Sequence, residues 1–466
     1  MQIWIHACDD VPAAISDCVQ AGLEREGLEV RAPGAWPPPN QGVLVFGRAS
    51  EEVCRLVRAR ASIERRAVIA LHVSIDESPE AKPSPWQLLA AGAMDFLHWS
   101  EDHAPREIAA RLRRRSVLDE HLNSSLIREN LIGQSSVWSQ TLEQLVEAAA
   151  FSQESILLTG ESGTGKELAA RLTHALDPRP GKKELVVVDC TTLMPDLAGS
   201  ELFGHERGAY TGAAAARAGA IQMAHEGTLF LDEVGELGLS LQAQLLRVIQ
   251  EKTYKRVGGD QWHKADFRLV AATNRDLWSM VQEGTFRRDL YYRIATVLIA
   301  LPPLRERPED VLPLARHFLR QMRPRDADEL TLDPALEAHL MTRDYPGNVR
   351  DLRQLIARIL HRHRGTRFVS PASLPERERP SGTAAAPAWP DEALQQSLRR
   401  ALAYGVGLQD IAREAKEAAL NAALSLESGS VKRAAERLGV TERAIHMRLA
   451  KTPATLFPRQ QEDESA

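Results

Sequence analysis

Residues 160–167, which read GESGTGKE, constrain the fold of this chain more than any other segment. They follow the apolar run at residues 155–159, which the pattern predicts to be a buried β-strand. The Gly-x4-Gly-Lys spacing is typical of a phosphate-binding loop, in which glycines let backbone N–H groups turn inward around phosphate oxygens. Lys166 then reaches the β- and γ-phosphates, and the next helix points its positive end at them. Glu167 departs from the generic motif, which has Ser or Thr there, so a second motif is needed.

That second motif is GTLFLDEVGEL, at residues 227–237. It predicts a β-strand with Asp232 and Glu233 at its C-terminal end. Such a pair suits coordination of Mg²⁺ by Asp232 and polarisation of the attacking water by Glu233. A further predicted strand, residues 268–273, ends in Asn274, which is placed to sense the γ-phosphate. Strand and helix patterns alternate from residue 131 onward, so the sequence predicts a parallel sheet and a nucleoside-triphosphate-hydrolysing core.

Composition sets the class of protein. The 466 residues are enough for about three domains. The formal net charge of -5 gives no overall reason to expect nucleic acid, so any DNA-binding surface has to be local. The four cysteines lack a metal-binding spacing, which fits a reducing cytosol. Because we find neither a signal peptide nor an apolar run approaching about 18 residues, we expect a cytoplasmic protein with no membrane contact.

Residues 1–118 predict a small α/β domain with short apolar runs at residues 3–7, 43–47 and 67–72. Its segment WQLLAAGAMDFLHW resembles the helix-to-strand passage of response-regulator receiver domains. The lysine position of those domains falls on His98 or Trp99.

The receiver strand that ends in the phosphoacceptor aspartate here reads VLVFGRAS, which places Gly47 or Arg48 at the acceptor position. Neither residue has the carboxylate that an acyl phosphate requires. We therefore expect a degenerate receiver-like domain that is not phosphorylated. Asp9 and Asp10 resemble the acidic metal pair of receivers, but without the acceptor we interpret them as a solvated turn.

Residues 119–130 complete a charged helical stretch that we interpret as a linker helix. Four arginines precede it: Arg111, Arg113, Arg114 and Arg115. Because charge runs usually face solvent, a solvated helix face is favoured over a nucleic-acid site.

Seven segments, in this order, closely resemble the AAA+ domain of sigma-54-dependent bacterial enhancer-binding proteins. They are GESGTGKE, ELFGHERGAYTGA, GTLFLDE, AATNRDL, FRRDLYYRI, LPPLRER and YPGNVRDL. The resemblance covers residues 131–375 and accounts for Glu167, since that family has Glu after the loop lysine. It implies an α/β multidomain protein whose AAA+ P-loop core (131–303) and helical lid (304–375) bind ATP and Mg²⁺.

The resemblance also assigns the site residues. The nucleotide-binding set is Gly160, Glu161, Ser162, Gly163, Thr164, Gly165, Lys166, Glu167 and Arg350, the last matching the sensor arginine of the lid. The catalytic set is Asp232, Glu233, Asn274, Arg287 and Arg293. Arg287 and Arg293 match the arginine fingers that act on a neighbouring subunit's nucleotide, so the resemblance implies a homo-oligomer, from dimer to hexameric ring. Arg288 has no counterpart in the family and is interpreted as a solvated side chain.

The segment that contacts sigma-54 in that family is a turn-rich loop here. Its residues are Gly208, Ala209, Tyr210, Thr211, Gly212 and Ala213. Tyr210 stands where the family usually has Phe, and the added hydroxyl is expected to leave function intact. A second departure is Asp189, where the family commonly has an Asn that restrains the catalytic Glu. Since an ionised Asp cannot donate a hydrogen bond and adds a carboxylate near Glu233, we predict altered coupling of hydrolysis to the loop.

The C-terminal region is predicted to be all-α. Residues 376–396 are rich in Pro, Ala and charge and predict a linker, and residues 453–466 a disordered tail. Between them, residues 397–452 resemble a Fis-type helix-turn-helix domain. Ser430 and Thr441 are the predicted helix caps, with Gly439 at the turn.

A local basic patch accompanies this helix-turn-helix. Residues 430–451 carry six basic side chains and two acidic ones, which suits double-stranded DNA. The predicted DNA contacts are Lys432, Arg433, Glu442, Arg443, His446 and Arg448. Glu442, Arg443 and His446 are expected at base edges, and the others at phosphates. A helical hairpin used only for dimer contact is the alternative.

These observations predict a transcriptional activator that binds upstream DNA and uses ATP hydrolysis to remodel sigma-54 RNA polymerase from the closed to the open promoter complex. One alternative is a DNA-binding repressor or sigma-70-type regulator with a vestigial ATPase. Another is a general AAA+ remodeller of proteins. The sequence leaves open whether the N-terminal domain takes a small molecule, a regulatory protein or no ligand.

Overall fold

The computed structural model describes residues 1–31, 40–48, 50–61, 67–74, 84–211, 213–323, 330–364, 367–379, 397–398, 401–402, 406–427 and 430–449. The chain divides into two compact units, Met1–Pro375 and Glu376–Ala466. Of the predicted linker at residues 376–396, residues 380–396 lie outside the described residues, as does the predicted tail. Among the described residues, no helix combines the length and the apolar character that crossing a membrane requires.

The N-terminal domain is built on a five-stranded parallel sheet in the order β2-β1-β3-β4-β5. Its strands are β1 (Gln2–Ala7), β2 (Glu29–Arg31), β3 (Gln41–Phe46), β4 (Ala67–His72) and β5 (Asp95–His98). Its helices α1 (Ala13–Arg25), α2 (Glu51–Ala61) and α3 (Pro85–Ala90) connect these strands. β3 and β4 are buried along their whole length, because helices cover both faces of the sheet. This strand order is the one found in receiver-type doubly wound sheets, so the predicted α/β domain is confirmed.

A single helix, α4 (Ala104–Asn123), joins the N-terminal domain to the next one. Ile108 and Leu112 in its first half lie in the core of the N-terminal domain. Leu118 and Leu122 in its second half lie in the core of the following domain. The short helix α5 (Ser125–Asn130) comes directly after α4. The predicted domain boundary at residue 118 therefore falls inside a helix that both cores share.

The arginine cluster of α4 is solvated in part: Arg113 and Arg114 are exposed, as interpreted, whereas Arg111 and Arg115 are half-buried. Arg111 pairs with Asp95 and Glu107, and Arg113 donates to the carbonyl of Glu26. Arg114 lies 2.7 Å from Glu147, and Arg115 pairs with Glu143 and, at 3.0 Å, with Asp119. Glu143 and Glu147 belong to the first helix of the following domain, so these ion pairs fasten α4 to both of its neighbours.

The central domain has a five-stranded parallel sheet in the order β12-β6-β11-β8-β7. The strands are β6 (Ile156–Thr159), β7 (Leu185–Asp189), β8 (Thr228–Asp232), the hairpin β9 (Thr253–Lys255) and β10 (Trp262–Lys264), β11 (Arg268–Thr273) and β12 (Val297–Ala300). The helices are α6 (Ser136–Phe151), α7 (Lys166–Leu176), α8 (Ala198–Phe203), α9 (Ala220–Met223), α10 (Leu239–Glu251), α11 (Leu277–Gln282) and α12 (Arg288–Ile294). Apolar clusters fill both faces of the sheet, which confirms the predicted parallel α/β core.

The register of this sheet brings the predicted site residues to one edge. β11 pairs with β6 so that Thr273 lies opposite Thr159, and β7 pairs with β8 so that Asp189 lies opposite Asp232. The loops that follow β6, β8 and β11 therefore leave the sheet side by side. This is the edge at which ligands bind in open parallel sheets.

A small helical domain follows the core. It contains α13 (Val311–Met322), α14 (Pro334–Thr342) and α15 (Asn348–Arg362), with the short strands β13 (Thr331–Leu332) and β14 (Phe368–Val369). Leu352, Leu355, Ile356 and Ile359 fall at helical spacing on α15, so one side of this helix is buried in the lid core. The predicted helical lid is confirmed.

The C-terminal unit, taken by itself, contains the helices Leu408–Leu426, Val431–Leu438 and Glu442–Leu449 around a small apolar core. Gly439 adopts a left-handed φ of 65° at the turn between the second and third helices. Thr441 caps the third helix by accepting a hydrogen bond from the Ala444 N–H at 3.3 Å, as predicted. Ser430 stands at the start of the second helix, but its side chain makes no capping hydrogen bond, so that part of the prediction was wrong.

Candidate active site and its surface loop

The phosphate-binding loop closes around its own lysine. Gly160, Gly163 and Gly165 have φ values of 149°, 80° and 109°, which other residue types rarely adopt. They turn the chain tightly between β6 and α7. The Lys166 side chain is 7% exposed, and its ammonium group donates to the carbonyls of Gly160 at 2.8 Å and Glu161 at 3.3 Å. The cation is therefore held at the centre of the loop, where phosphate oxygens would replace these carbonyls as acceptors.

Two carboxylates face this lysine from the end of β8. Lys166 Nζ lies 3.6 Å from Glu233 Oε1, and Glu233 Oε2 accepts the Asn274 N–H at 2.9 Å. Glu233 has a left-handed φ of 52°, which is rare outside glycine and aims its side chain back over the loop. Burial, followed by the charge of Glu233, raises the pKa of Asp232 above its ordinary value. The β8 end thus concentrates negative charge beside one cation, which is a suitable place for a divalent metal ion.

A cleft of about 430 Å³ opens above these groups, between the core and the lid. That volume is in the range of small-molecule and cofactor sites. Its floor is the loop from Ser162 to Leu168 together with Asp232 and Glu233, and its far wall includes Val349, Arg350 and Arg353 of α15. A third wall comes from residues 129–132, at the C-terminal end of helix α5 and just after it. The predicted Arg350 therefore shares a cleft with the loop, and its guanidinium donates to Ser162 Oγ at 2.9 Å.

The donor set fits ATP with Mg²⁺. Protein sites usually hold Mg²⁺ through one or two carboxylates plus substrate phosphates, and Asp232 with Glu233 supplies those carboxylates. Among the described residues, no three His, Cys, Asp or Glu side chains form a separate metal site. Glu167 lines the cleft, but its carboxylate pairs with Arg171 at 2.7 Å on the surface of α7, where a generic loop would offer a hydroxyl.

Several predicted site residues lie outside this cleft. Arg287 is bound to Asp289 by two hydrogen bonds of 3.1 and 2.7 Å, and Arg293 is exposed on α12. Neither is among the residues that line the cleft of its own chain, nor is Asn274. Asn274 meets Glu233 through its backbone N–H rather than through its side chain. Glu161 also lies outside the lining and bonds to the lid instead.

Asp189 lies opposite Asp232 at the end of β7. Its Oδ1 accepts the backbone N–H of Thr191 at 2.9 Å and the Thr191 hydroxyl at 2.6 Å, so the carboxylate is turned into a local loop. Its charge is one of the influences that raise the pKa of Asp232. The additional carboxylate predicted from sequence is therefore present, and it acts on Asp232 from the neighbouring strand.

The loop of residues 208–213 is a tight surface turn. The Gly208 N–H donates to the Ala213 carbonyl at 2.9 Å, and the Ala213 N–H donates to the Tyr210 carbonyl at 3.0 Å. Tyr210 is 39% exposed, with its ring centroid 5.1 Å from that of His205. Thr211 is exposed beside it, and the predicted contact residue Gly212 lies outside the described residues. The turn presents an aromatic ring and a hydroxyl to solvent.

The sequence reasoning missed the hairpin that supports this loop. Arg256, just after β9, bonds Glu206 Oε1 at 2.9 Å and Gln222 Oε1 at 2.8 Å. The Glu206 N–H donates to the Val257 carbonyl at 3.0 Å. Gly258 has a φ of 74°, and a Cβ added there would fall 2.7 Å from the Ala209 Cβ. The adjacent glycines 258 and 259 were the available signal, since such a pair marks a turn that lets another backbone approach closely.

Arg307 is a second residue that the sequence reasoning missed. It is 1% exposed, it lies 4.1 Å above the Trp138 ring, and it donates to the Thr164 carbonyl at 3.3 Å. Burial lowers its pKa to about 10. Arg307 lines the cleft, so it adds a positive charge behind the loop.

In the N-terminal domain, side chains from neighbouring segments form hydrogen bonds with the backbone at the predicted phosphoacceptor position. Asp10 accepts the N–H groups of Gly47 at 3.1 Å and Arg48 at 2.6 Å. Asp9 and Asp10 themselves lie exposed in a turn, as expected. The Gly47 carbonyl lies 3.1 Å from His72 Nε2, and His72 Nδ1 lies 3.1 Å from His98 Nδ1. His98, one of the two residues predicted at the receiver lysine position, therefore belongs to a histidine pair.

In the C-terminal unit, Lys432, Arg433, Glu442 and Arg443 are exposed on the second and third helices. Arg433 lies 3.7 Å from Glu427, which also pairs with Arg437 at 2.8 Å. The side chains of His446 and Arg448 lie outside the described part of the structure.

Comparison with known protein families adds two matches. Residues 131–300 match the family described as the sigma-54 interaction domain. Residues 305–388 match the AAA+ ATPase lid domain, which extends beyond the predicted end of the lid at residue 375.

Three individual proteins show how far the similarity reaches. The regulatory protein AtoC of Escherichia coli is 40% identical over 301 residues, which are 64% of this chain and 63% of AtoC. A Nif-specific regulatory protein of Bradyrhizobium diazoefficiens is 47% identical over 51% of this chain and 41% of its own length. The crystal structure of NtrX from Brucella abortus in complex with ATP is 27% identical, with a TM-score of 0.51, over 97% of this chain and 99% of that one. The chain spans less than two thirds of the length of the first two relatives.

Proposed function

We propose that the protein is a sigma-54-dependent transcriptional activator driven by ATP. Its residues 131–300 match the sigma-54 interaction domain family, and its residues 305–388 match the AAA+ ATPase lid domain. One observation carries the proposal. Lys166, Asp232 and Glu233 converge below a nucleotide-sized cleft, in the same domain that presents Tyr210 on an exposed turn. Every side chain whose loss would indicate a vestigial ATPase is present, so the repressor alternative is not favoured.

In the proposed reaction, Lys166 and the loop N–H groups bind the phosphates of ATP. Asp232, together with phosphate oxygens, would hold Mg²⁺, which would supply positive charge to the transferring phosphoryl group. Glu233 orients and deprotonates the attacking water. The contacts from Lys166 and from the Asn274 N–H hold its carboxylate in place for that task. Arg350 approaches the same cleft from the lid.

Arg287 and Arg293 have a different proposed task. Both lie outside the cleft of their own chain, so we assign them to the nucleotide of a neighbouring copy in an oligomer, from dimer to hexameric ring. An arginine that stabilises the transition state in this way contributes a rate factor of about 10³–10⁵. Arg287 has to leave Asp289 to do so, because the two now form a bidentate pair.

Two further surfaces bind the protein's targets, sigma-54 and DNA. The loop of residues 208–213 engages sigma-54 in the closed promoter complex, and hydrolysis moves it. The C-terminal helix-turn-helix holds double-stranded DNA upstream of the promoter. The protein acts in the cytoplasm. Residues 47 and 48 offer no carboxylate to phosphorylate, so the N-terminal domain responds to a small molecule, to a regulatory protein or to the abundance of the protein alone.

A reconstituted transcription assay tests this proposal. Genomic binding sites of the protein are mapped first, and a promoter beside one of them is then transcribed with purified sigma-54 RNA polymerase. Open complexes should form with ATP and not with a non-hydrolysable analogue. Open complexes formed equally well without hydrolysis would contradict the proposal.

A further inference from the structure

Glu161 is the one carboxylate within the glycine-bounded part of the phosphate-binding loop, residues 160–165. A carboxylate there opposes the binding of phosphates unless its negative charge is compensated. The groups that compensate the charge of Glu161 come from the lid and not from the core. Arg305 donates to its two oxygens at 2.9 and 2.7 Å, and Asn348 Nδ2 donates to Oε2 at 3.1 Å.

These two partners come from two separate segments of the lid. Arg305 lies on the short turn Leu304–Glu306 with which the lid begins, and Asn348 is the first residue of α15. Asn348 also joins the partners to each other, because its Oδ1 accepts the Leu304 N–H at 2.8 Å. The Glu161 carboxylate of the phosphate-binding loop thus contacts both lid segments.

The backbone around Asn348 is shaped for this contact. Asn348 is 1% exposed and has a φ of 51°, a conformation that a residue with a side chain keeps only when its surroundings impose it. Its Nδ2 also donates to the Ser162 carbonyl at 3.0 Å, and the next N–H, of Val349, donates to the Gly163 carbonyl at 3.1 Å. A Cβ at Gly163 would fall 2.2 Å from the Gly347 carbonyl oxygen, so the two backbones lie as close as they can.

Arg350 follows two residues later, with its guanidinium on Ser162 Oγ. It lines the cleft together with Val349 and Arg353, which are on the same turns of α15. Whatever fixes Asn348 against the loop therefore also fixes the wall of the cleft that carries Arg350.

We propose that Glu161 is a positioning residue: with Arg305 and Asn348 it forms a latch that holds the lid against the phosphate-binding loop and places Arg350 at the nucleotide. The proposal rests on the ATPase function proposed above. It assigns Glu161 to the lid, whereas the sequence places it among the nucleotide-binding residues. Releasing the latch lets the lid turn away, so nucleotide affinity falls while the chemistry at Glu233 stays intact.

The test uses the full-length chain with three variants, Glu161→Gln, Arg305→Met and the double variant. Affinity for ADP is measured with Mg²⁺ and again in EDTA, and KM and kcat are measured for ATP. Each single variant should weaken ADP binding and raise KM by about tenfold, the loss expected for a charge-assisted hydrogen bond, with kcat much less affected. The double variant should be little worse than either single one, because both remove the same contact.

Glu337→Gln serves as the matched control. It breaks an arginine–glutamate ion pair within the lid, in which Arg316 contacts one oxygen of Glu337 at 2.8 Å and which does not touch the loop. It should leave both constants unchanged. Thermal unfolding that matches the wild type shows that each variant is folded, and Glu161→Ala, which removes both oxygens, should lose more affinity than Glu161→Gln.

Each contrary result has its own meaning. Wild-type affinity in Glu161→Gln would overturn the latch alone. A loss seen with Mg²⁺ and absent in EDTA would make Glu161 a metal ligand, which also overturns the latch. Wild-type protein that binds no nucleotide would instead contradict the proposed function on which the latch rests.

Discussion

Lys166 Nζ lies 3.6 Å from Glu233 Oε1, and this pair joins the phosphate-binding loop to the end of strand β8. Both side chains are largely buried, so the lysine charge offsets the negative charge of Glu233 in a place that water screens poorly. The two residues have different proposed roles, since the lysine binds phosphate and the carboxylate activates the attacking water.

Glu233→Gln should therefore bind ATP and fail to hydrolyse it. Glutamine keeps an oxygen for the Asn274 N–H but has no basic carboxylate, so turnover should fall by about 10²–10⁴-fold. ATP hydrolysis and binding of a fluorescent nucleotide analogue, measured on the same preparation, check this. Unchanged turnover would remove Glu233 from its assigned role.

Lys166→Ala should lose nucleotide binding, whereas Glu233→Gln should keep it. Without the ammonium group the loop loses its phosphate ligand, so nucleotide binding itself should fall below detection at concentrations that saturate the wild type. Binding that survives in Lys166→Ala would show that the loop does not hold phosphates as proposed.

Arg256→Met should disconnect the surface loop from its support. The variant loses the bonds to Glu206 and Gln222 that hold the hairpin against the loop, so capture of sigma-54 should fall by about tenfold while ATP hydrolysis persists. Arg247→Met is the control, because Arg247 pairs only with the exposed Glu251 on α10 among the contacts described. Equal capture by both variants would mean that the hairpin does not support the loop.

Asp189→Asn tests the departure at the end of β7. Asparagine keeps an oxygen for the Thr191 N–H and hydroxyl, so the fold should not change. It removes a negative charge beside Asp232, so KM for Mg-ATP should fall, and the response of hydrolysis to sigma-54 should change. An unaltered rate, KM and partner response would show that Asp189 has no influence on the site.

Acid should destabilise the central domain through Asp177. Burial alone would raise the pKa of Asp177, but hydrogen bonds from Arg179 and the charge of Arg268 outweigh it and hold the pKa below its ordinary value of about 3.9. Stability from this group is therefore complete above that value and is lost as the pH falls through the lowered pKa. Asp177→Asn should cost about 3–5 kcal/mol at neutral pH, because it leaves the buried Arg268 without its counter-charge, and urea unfolding measures this. A variant as stable as the wild type at neutral pH would contradict it.

Local sequence predicted most of the central domain because its signals are local. A buried strand followed by a glycine loop, and another followed by two acids, fixed the positions of Lys166, Asp232 and Glu233 before the sheet order was known. Parallel strands then bring those ends to one edge whatever the connecting helices contain. The Gly439 turn and the Thr441 cap were predictable for the same reason, since both depend on neighbouring residues alone.

What local patterns could not predict are pairings between distant segments. Glu161 reads as one more loop residue until Arg305 and Asn348, well over a hundred positions away, are found against it. Arg114 and Arg115 of α4 give no local sign of their ion pairs, because their partners Glu147 and Glu143 lie on another helix. Arg256 gives no local signal at all, and only the fold places it on Glu206.

Capture of sigma-54 tests the central claim most directly. Full-length protein is incubated with sigma-54, Mg-ADP and a fluoride mimic of the transferring phosphate, and the complex is separated by size. The wild type should retain sigma-54, whereas Thr211→Ala, which alters only the tip of the exposed loop, should hydrolyse ATP and bind DNA without retaining it. Wild-type protein that hydrolyses ATP yet never retains sigma-54, or a Thr211→Ala variant that retains it fully, would contradict the account.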